Sequence, residues 1–225
     1  MKSVFVTGTG TDVGKTRVCS AIARYFTKKG LSFAYYKAAA SGTLCLPKSD
    51  PGLVKAAASL TQRDDTLVSY LYEHPLSPHF AARVEYGRFV DPEVVERAWR
   101  ALGHDYEYVL TEGAGGIVCP VVYEKGRKLF YLDLLKRFGC GALIVSDAGL
   151  GTINHTVLTF QYLKDHGVEV KGVILNRYDH DNLMHKDNEF MIKEITGLDT
   201  IAHVRDGSMD LEDITTPPEE LFDEV

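Results

Sequence analysis

A glycine-rich stretch near the start of the chain, GTGTDVGKT over residues 8–16, has the residue types and spacing that most directly suggest chemistry. It follows an apolar run at residues 4–6 and leads into a helical segment that begins near Gly14. Glycines allow successive backbone N–H groups to point into one concavity, and the N-terminus of a helix adds partial positive charge. Lys15 adds a full charge, and the hydroxyl of Thr16 is a ligand for Mg²⁺. The pattern therefore predicts a phosphate-binding loop.

The spacing of this loop is not the common one, because five residues rather than four separate Gly8 from Gly14. We therefore expect a modified loop. A turn that only joins a strand to a helix is the alternative interpretation. A lysine beside the positive end of a helix dipole is unfavourable unless an anion is held there. The residues favour a nucleotide site and do not by themselves specify a reaction.

A lysine and a serine near the second predicted strand are further candidates. Lys37 ends a strand predicted over residues 33–37, and Ser41 with Gly42 follows. Because ligands bind at the carboxyl edge of an α/β sheet, we expect Lys37 and Ser41 near the phosphate loop. A solvated lysine and a simple turn at Ser41 are the alternatives.

Two carboxylates are candidates on the metal side of such a site. Glu112 follows a strand predicted over residues 106–110 and precedes glycines that permit close backbone approach. An exposed acid in a tight turn is the alternative. Asp50 stands before Pro51, where we expect it to cap a helix over residues 52–60. Whether Asp50 also faces Mg²⁺ is left open at this point.

Two later strand ends carry binding features. The turn at residues 149–154 leads into a helix whose free amides suit a second anion, such as a substrate carboxylate. Asn176 ends a strand predicted over residues 168–175. An asparagine there has the donor and acceptor needed to read an adenine edge, or it only caps a turn.

The elements that position these residues alternate between strand and helix along the chain. This alternation predicts an α/β fold, a mainly parallel sheet flanked by helices in a three-layer sandwich like that of P-loop NTPases. The 225 residues suit one large domain over residues 1–225. The acidic tail at residues 210–225 is expected to be partly disordered or to form a short helix.

The amino-acid composition limits the kinds of molecule that the protein is expected to bind. A net charge of -6 and a pI near 5.7 argue against nucleic acid or a membrane surface. The four cysteines lack the spacing of a zinc site or a disulfide framework, and Cys19 and Cys140 are expected in the core. The start of the chain has no leader pattern, and no apolar stretch is long enough to span a bilayer. The cytoplasm is the expected location.

The motifs GTGTDVGKT, YYKAAASG, Ser49-Asp50, PLSPH, TEGAGG, GLGTINH and the strand end at Asn176 together resemble dethiobiotin synthetase over nearly the whole chain. The resemblance implies an ATP-dependent ligase of biotin synthesis that converts 7,8-diaminopelargonic acid and CO₂ to dethiobiotin, ADP and phosphate. In that family one amine is carboxylated, and the carbamate attacks the γ-phosphate to give a carbamic-phosphoric anhydride. The second amine then closes the ureido ring.

The resemblance also implies a role for each matching residue. Lys37, Lys15 and Thr11 would act in catalysis, Mg²⁺ would be held by Thr16, Asp50 and Glu112, and active sites would be shared across a homodimer. The implied substrate contacts are Lys37, Ser41, Gly149, Leu150, Gly151, Thr152 and Asn154. The implied ATP contacts are Gly8, Thr9, Gly10, Asp12, Val13, Gly14, Lys15, Thr16, Arg17, Glu112, Gly113, Ala114, Gly115, Asn176, Val204, Arg205 and Asp206.

The chain departs from the family at three positions. The family commonly has an acid at Gly10, a proline at Ala38 and a proline at Arg205. The last departure leaves the nucleotide preference open. A partitioning or regulatory P-loop ATPase is one rival, although such proteins carry a lysine at the position of Gly10. A related amide-forming ligase is a second rival, and Lys37 with Glu112 argues against a third, a non-catalytic nucleotide-binding module.

Overall fold

The computed structural model of the chain describes residues 1–85 and 87–225. Strands and helices alternate along most of it. The strands are β1 (Lys2–Gly8), β2 (Phe33–Ser41), β3 (Val68–Tyr72), β4 (Tyr108–Gly116), β5 (Pro120–Glu124), β6 (Arg127–Phe130), β7 (Ala142–Asp147), β8 (Val170–Asn176), β9 (Thr200–Val204) and β10 (Asp223–Glu224). The helices are α1 (Lys15–Lys28), α2 (Asp50–Ala58), α3 (Pro78–Val84), α4 (Pro92–Leu102), α5 (Tyr131–Phe138), α6 (Thr152–Asp165) and α7 (Leu183–Thr196).

The central sheet has the strand order β3-β2-β4-β1-β7-β8-β9, and these strands pair in parallel. Strand β10 pairs antiparallel with the start of β1, and β5 and β6 form a separate hairpin. The carboxyl ends of β1, β2 and β4 lie at one edge of the sheet, because parallel neighbours end together. The structure confirms the predicted fold class.

Apolar side chains cover both faces of the sheet. Residues of α1 and α2 pack on one face with Val4 and Val6 of β1. The other face is covered by residues of α3 to α7, including Trp99 and Leu163. Strands buried on both faces read as continuous apolar runs, as in the ALIV segment of β7. The result is the expected three-layer sandwich.

The helix start predicted near Gly14 agrees with α1 within one residue, and two strands are longer than predicted. Lys37 and Glu112 were expected at strand ends, but both lie within strands, where they pair in register across β2 and β4. In β2 the strand continues through Ala38, Ala39 and Ala40, which are buried, whereas in β4 only Gly113 of the residues after Glu112 is buried.

The expectation that Asp50 caps a helix is wrong. Asp50 is the first residue of α2, and Ser49 occupies the cap position without a capping side-chain bond. The strand β3 and the β5–β6 hairpin were not predicted. Cys19 and Cys140 are buried, as expected. Within the part of the chain that the structure describes, no helix combines the length and the apolar character needed to cross a bilayer.

The acidic tail is bound to the body of the protein. It contains a 3₁₀ turn at Pro218–Leu221, and the side chains of Leu221 and Phe222 are buried. The Asp223 carboxylate accepts from the backbone N–H of Gly141 at 2.6 Å and pairs with Lys171. The tail thereby closes the end of the sheet opposite the phosphate loop.

Candidate functional site

A cavity of about 650 Å³ opens at the carboxyl edge of the sheet, where the phosphate loop joins β1 to α1. It is the size expected of a small-molecule site. Its lining gathers residues that are far apart in the sequence. The predicted residues that line it are Thr11, Asp12, Gly14, Lys15, Thr16, Arg17, Lys37, Ser41, Asp50, Glu112, Ala114 and Gly115.

The phosphate loop has a conformation that ordinary residues adopt rarely. Gly14 has φ 92° and Asp12 has φ 59°. A Cβ added at Gly14 would lie 1.9 Å from Nδ2 of Asn176, so only glycine fits there. That Nδ2 donates to the carbonyl of Val13 at 2.9 Å, which fastens the loop to the end of β8.

Lys15 begins α1 and points back over the loop. Its Nζ donates to the carbonyl of Gly10 at 2.9 Å. Burial lowers the pKa of Lys15, since a charged ammonium loses hydration there. An anion bound in the loop would offset that loss by pairing with the ammonium.

A charged cluster lies beside the loop, with Lys37 and Glu112 buried and Asp50 partly exposed. The ammonium of Lys37, whose residue is 2% exposed, is 2.6 Å from Asp50 Oδ2 and 2.6 Å from Glu112 Oε1. Glu112 also accepts from the Thr16 hydroxyl at 2.9 Å and from the Tyr35 hydroxyl at 2.8 Å. Every charged group in this cluster therefore has a partner of opposite charge.

The ion pairs of Lys37 with Asp50 and Glu112 determine which of these groups are charged. Burial alone would lower the pKa of Lys37, but the carboxylates of Glu112 and Asp50 outweigh it and raise that pKa. Burial likewise tends to raise the pKa of Asp50, and the ammonium of Lys37 lowers it below the ordinary range. Lys37 is thus a full positive charge at neutral pH, held within a site of low dielectric.

Strand geometry places these groups on one side of the sheet. Lys37 and Ser41 are four residues apart on β2, so their side chains leave the same face. The β2–β4 register puts Glu112 opposite Lys37, and the start of α2 brings Asp50 to the same point. A solvated Lys37 and an exposed Glu112 are therefore excluded.

The structure does not bring every predicted residue to the cavity. The turn at residues 149–154 lies outside the lining, with Leu150 91% exposed. The hydroxyl of Thr152 is hydrogen-bonded to Ser146 at 2.6 Å within the fold. Gly113 packs against the ring of Phe5, where a Cβ would lie 3.1 Å from the ring.

The remaining predicted residues lie at the borders of the site. A Cβ added at Gly8 would lie 2.8 Å from the Val13 side chain, and the Thr9 hydroxyl is hydrogen-bonded to Ser146. Val204 is buried at the end of β9, and Arg205 pairs with Glu212 on the surface. Asp206 accepts from Arg17 at 3.0 Å, so the loop after β9 reaches the first turn of α1.

Sequence reasoning missed several residues of the site. Arg177 has φ 56°, pairs with Asp147 and donates to the Asp12 carbonyl at 2.9 Å. Its position directly after Asn176 was the available signal. Tyr35 had a similar signal, since it lies two residues before Lys37 on the same strand face. The other cavity residues that were not predicted are Pro75, Leu76, Ser77, Pro78 and Cys119.

These features define the class of protein. The glycine-rich loop joins the first strand of a parallel sheet to the first helix, and a lysine and a threonine begin that helix. This arrangement is that of a P-loop nucleotide-binding protein. A family model described as an AAA domain matches residues 2–208. Among solved structures, the chain is similar to the MinC:MinD cell division complex of Aquifex aeolicus, with a TM-score of 0.57 at 17% identity, covering 91% of this chain and 81% of that one. It is also similar to a ParA family ATPase of Chlorobium tepidum, with a TM-score of 0.56 at 14% identity, covering 91% and 85%. These likenesses show the fold alone.

Closer relatives are found by sequence. The chain is 45% identical to an ATP-dependent dethiobiotin synthetase, BioD, of Brachyspira hyodysenteriae, over 94% of this chain and 96% of the relative. It is 38% identical to the protein of the same name from Clostridium perfringens, over 90% of each. The chain belongs to the ATP-dependent dethiobiotin synthetase family and carries its AAA domain. The resemblance drawn from the motifs is confirmed.

Proposed function

We propose that this chain converts 7,8-diaminopelargonic acid, CO₂ and ATP to dethiobiotin, ADP and phosphate. The observation that carries the proposal is the Lys37 ammonium, buried beside the phosphate loop and held by Asp50 and Glu112. A fixed cation there is suited to two anions, the γ-phosphate and a carbamate, that must approach each other. The family membership supplies the identity of the substrates.

ATP would bind with its phosphates on the amides of the loop, assisted by Lys15 and Thr11. The adenine would lie against Asn176 and the loop at residues 204–206. The buried Oδ1 of Asn176 has no hydrogen-bond partner among the described residues, while its Nδ2 is already used. A buried acceptor without a donor is costly, and the amino group of adenine would satisfy it.

Mg²⁺ fits the donors of the site. Thr16, Asp50 and Glu112 offer a hydroxyl and two carboxylates, and this all-oxygen set is what a hard divalent cation prefers. These three residues would hold it. When bound, the ion neutralises charge on the terminal phosphates of ATP.

The chemistry needs no protein nucleophile. One amine attacks CO₂ and loses a proton, which gives the carbamate. A carbamate oxygen then attacks the γ-phosphorus, the bond to ADP breaks, and a carbamic-phosphoric anhydride forms. The second amine attacks the carbonyl carbon and loses a proton, and phosphate leaves as the ring closes. Lys15 and Lys37 serve as point charges that bring the anions together.

We further propose a homodimer with shared active sites. The turn at residues 149–154 is outside its own cavity, yet it presents the N-terminus of α6, which suits a carboxylate. Exposed apolar side chains surround the turn, namely Leu150, Leu158 and Ile195. Covering them with a second copy would place Gly149, Leu150, Gly151, Thr152 and Asn154 at the partner's substrate. A cytoplasmic location, one domain and no nucleic-acid or membrane partner remain expectations.

The test is an assay of purified protein with diaminopelargonic acid, bicarbonate, Mg²⁺ and each nucleoside triphosphate in turn. We expect dethiobiotin by mass spectrometry and phosphate in equal amounts, with neither formed when the diamine is omitted. Phosphate release that is independent of the diamine would instead support a partitioning or regulatory ATPase. Comparing triphosphates also determines the nucleotide preference that Arg205 leaves open.

A further inference from the structure

A cluster of histidines and acids lies outside the nucleotide cavity, where three chain segments meet. His180 follows β8, His203 belongs to β9, and Asp213 belongs to the tail. Asp213 Oδ2 is 3.3 Å from His180 Nε2 and 3.0 Å from His203 Nδ1. One ligand atom from each residue lies within 4.8 Å of the other two.

These separations are short enough for the three ligand atoms to surround one metal ion. Zinc binds imidazole nitrogen and carboxylate oxygen at about 2.0–2.2 Å, so neighbouring ligand atoms of a tetrahedral site lie roughly 3.3–3.6 Å apart. The 3.3 Å separation between His180 and Asp213 lies in that range, and the 3.0 Å separation between His203 and Asp213 is shorter, at hydrogen-bond length. Two imidazoles with one carboxylate leave a fourth position for water or for Glu212, whose Oε2 is 3.4 Å from His180 Nε2.

The ring of His203 is held as metal-binding histidines usually are. Its Nε2, the nitrogen that faces away from Asp213, is hydrogen-bonded to Glu189 Oε1 at 3.0 Å. Glu189 in turn accepts from the Tyr178 hydroxyl at 2.7 Å, and the Tyr178 ring stacks on the imidazole at 3.8 Å. The Glu189 carboxylate orients the ring from its outer nitrogen, and a metal ion at Nδ1 would replace the proton that this nitrogen shares with Asp213.

The local charge and donor types favour a divalent transition metal. Glu189, Glu212 and Asp213 supply three negative charges, while Arg205, paired with Glu212, supplies one positive charge. Imidazole nitrogen is a ligand for zinc, cobalt, nickel and copper rather than for Mg²⁺. The cluster therefore differs in kind from the all-oxygen site in the nucleotide cavity.

We propose that His180, His203 and Asp213 bind one transition-metal ion of the zinc class. The ion would fasten the tail to β9, where the backbones of His203 and Glu212 already exchange two hydrogen bonds of 2.9 and 2.8 Å. His203 directly precedes the loop at residues 204–206. The site would thereby brace the loop assigned above to adenine.

The experiment uses the full chain, freed of metal with a chelator and dialysed. Zn²⁺ binding is measured by calorimetry, and Co²⁺ is added as a spectroscopic probe of tetrahedral coordination. We expect one ion per chain and a Co²⁺ visible absorption band. His180→Gln and Asp213→Asn should each abolish the band, and Glu189→Gln should weaken Zn²⁺ binding about 10- to 100-fold. Circular dichroism of each variant establishes that it is folded.

His104→Gln is the matched control, since His104 is an exposed histidine outside the cluster. This variant should bind Zn²⁺ and Co²⁺ as the unaltered protein does. The proposal is overturned if the unaltered protein binds neither ion, in which case the cluster is an ion pair only. It is also overturned if His180→Gln and Asp213→Asn bind with unchanged affinity. Either result leaves the proposed ligase reaction untouched.

Discussion

Replacing Lys37 with methionine should destabilise the protein strongly, because it leaves a buried carboxylate without its charge partner. The Glu112 side chain is fully buried, and after the change only the hydroxyls of Thr16 and Tyr35 would still donate to it. Removing one member of a buried ion pair costs about 3–5 kcal/mol. Asp50, with its side chain 41% exposed, can rehydrate and adds little.

The measurements are denaturant unfolding, for the free energy, and thermal unfolding, for Tm, both without nucleotide or metal. For a chain of this length, each kcal/mol corresponds to roughly 2–4 °C in Tm, so Lys37→Met should lower Tm by about 6–20 °C. Lys48→Met is the matched control, because Lys48 is exposed, and it should stay within about 0.5 kcal/mol of the unaltered protein.

A double variant that also changes Glu112 tests the coupling between Lys37 and Glu112 more strictly. Adding Glu112→Gln to Lys37→Met removes the unpaired charge, so the double variant should be more stable than Lys37→Met alone. The coupling energy from the four proteins should reach about 1–3 kcal/mol. Strictly additive effects, or a Lys37→Met protein as stable as the Lys48→Met control, would refute the view that this pair is buried and coupled.

The remaining predictions concern turnover, assembly and pH. Lys37→Gln should leave ATP binding largely intact and remove turnover, because the charge of Lys37 acts as the carbamate and the γ-phosphate approach each other. Calorimetry measures ATP binding, and phosphate release measures turnover. Normal turnover would contradict the catalytic role of Lys37. Mixing inactive Lys15→Ala and Asn154→Ala proteins should restore some dethiobiotin formation if sites are shared, whereas a fully active monomer would rule sharing out. The lowered pKa of Asp50 means that its pairing stabilises the fold above its ordinary value of 3.8 and is lost as pH falls through the lowered value. Asp50→Asn should therefore lose less stability than the unaltered protein between neutral and acid pH, measured by unfolding at each pH, and equal losses would contradict the shift.

Much of the fold was predictable because its signals are local. The apolar run of β1 and the glycine-rich loop at residues 8–16 can each be recognised from a few consecutive residues. Lys37 and Ser41 were correctly expected beside the phosphate loop, since strand ends gather at one edge of a parallel sheet.

The parts that sequence reasoning missed depend on contacts between distant segments. The role of Asp50 as a partner of Lys37 depends on how α2 docks on β2, which no local pattern specifies, and a proline after the acid favours the capping interpretation. The strand β3 is a short edge strand of five residues, and the β5–β6 hairpin lies off the main sheet. Which way the turn at residues 149–154 faces also follows only from the packing of α6.

The central claim is that Lys15 and Lys37 bring a carbamate oxygen onto the γ-phosphorus of ATP. Turnover with ¹⁸O-enriched CO₂ tests it most directly, with mass spectrometry of both products before the label exchanges with water. The claim predicts one ¹⁸O in the released phosphate and one in the ureido carbonyl of dethiobiotin, because the attacking oxygen departs with phosphorus. Phosphate that carries only oxygen from ATP and water would contradict it.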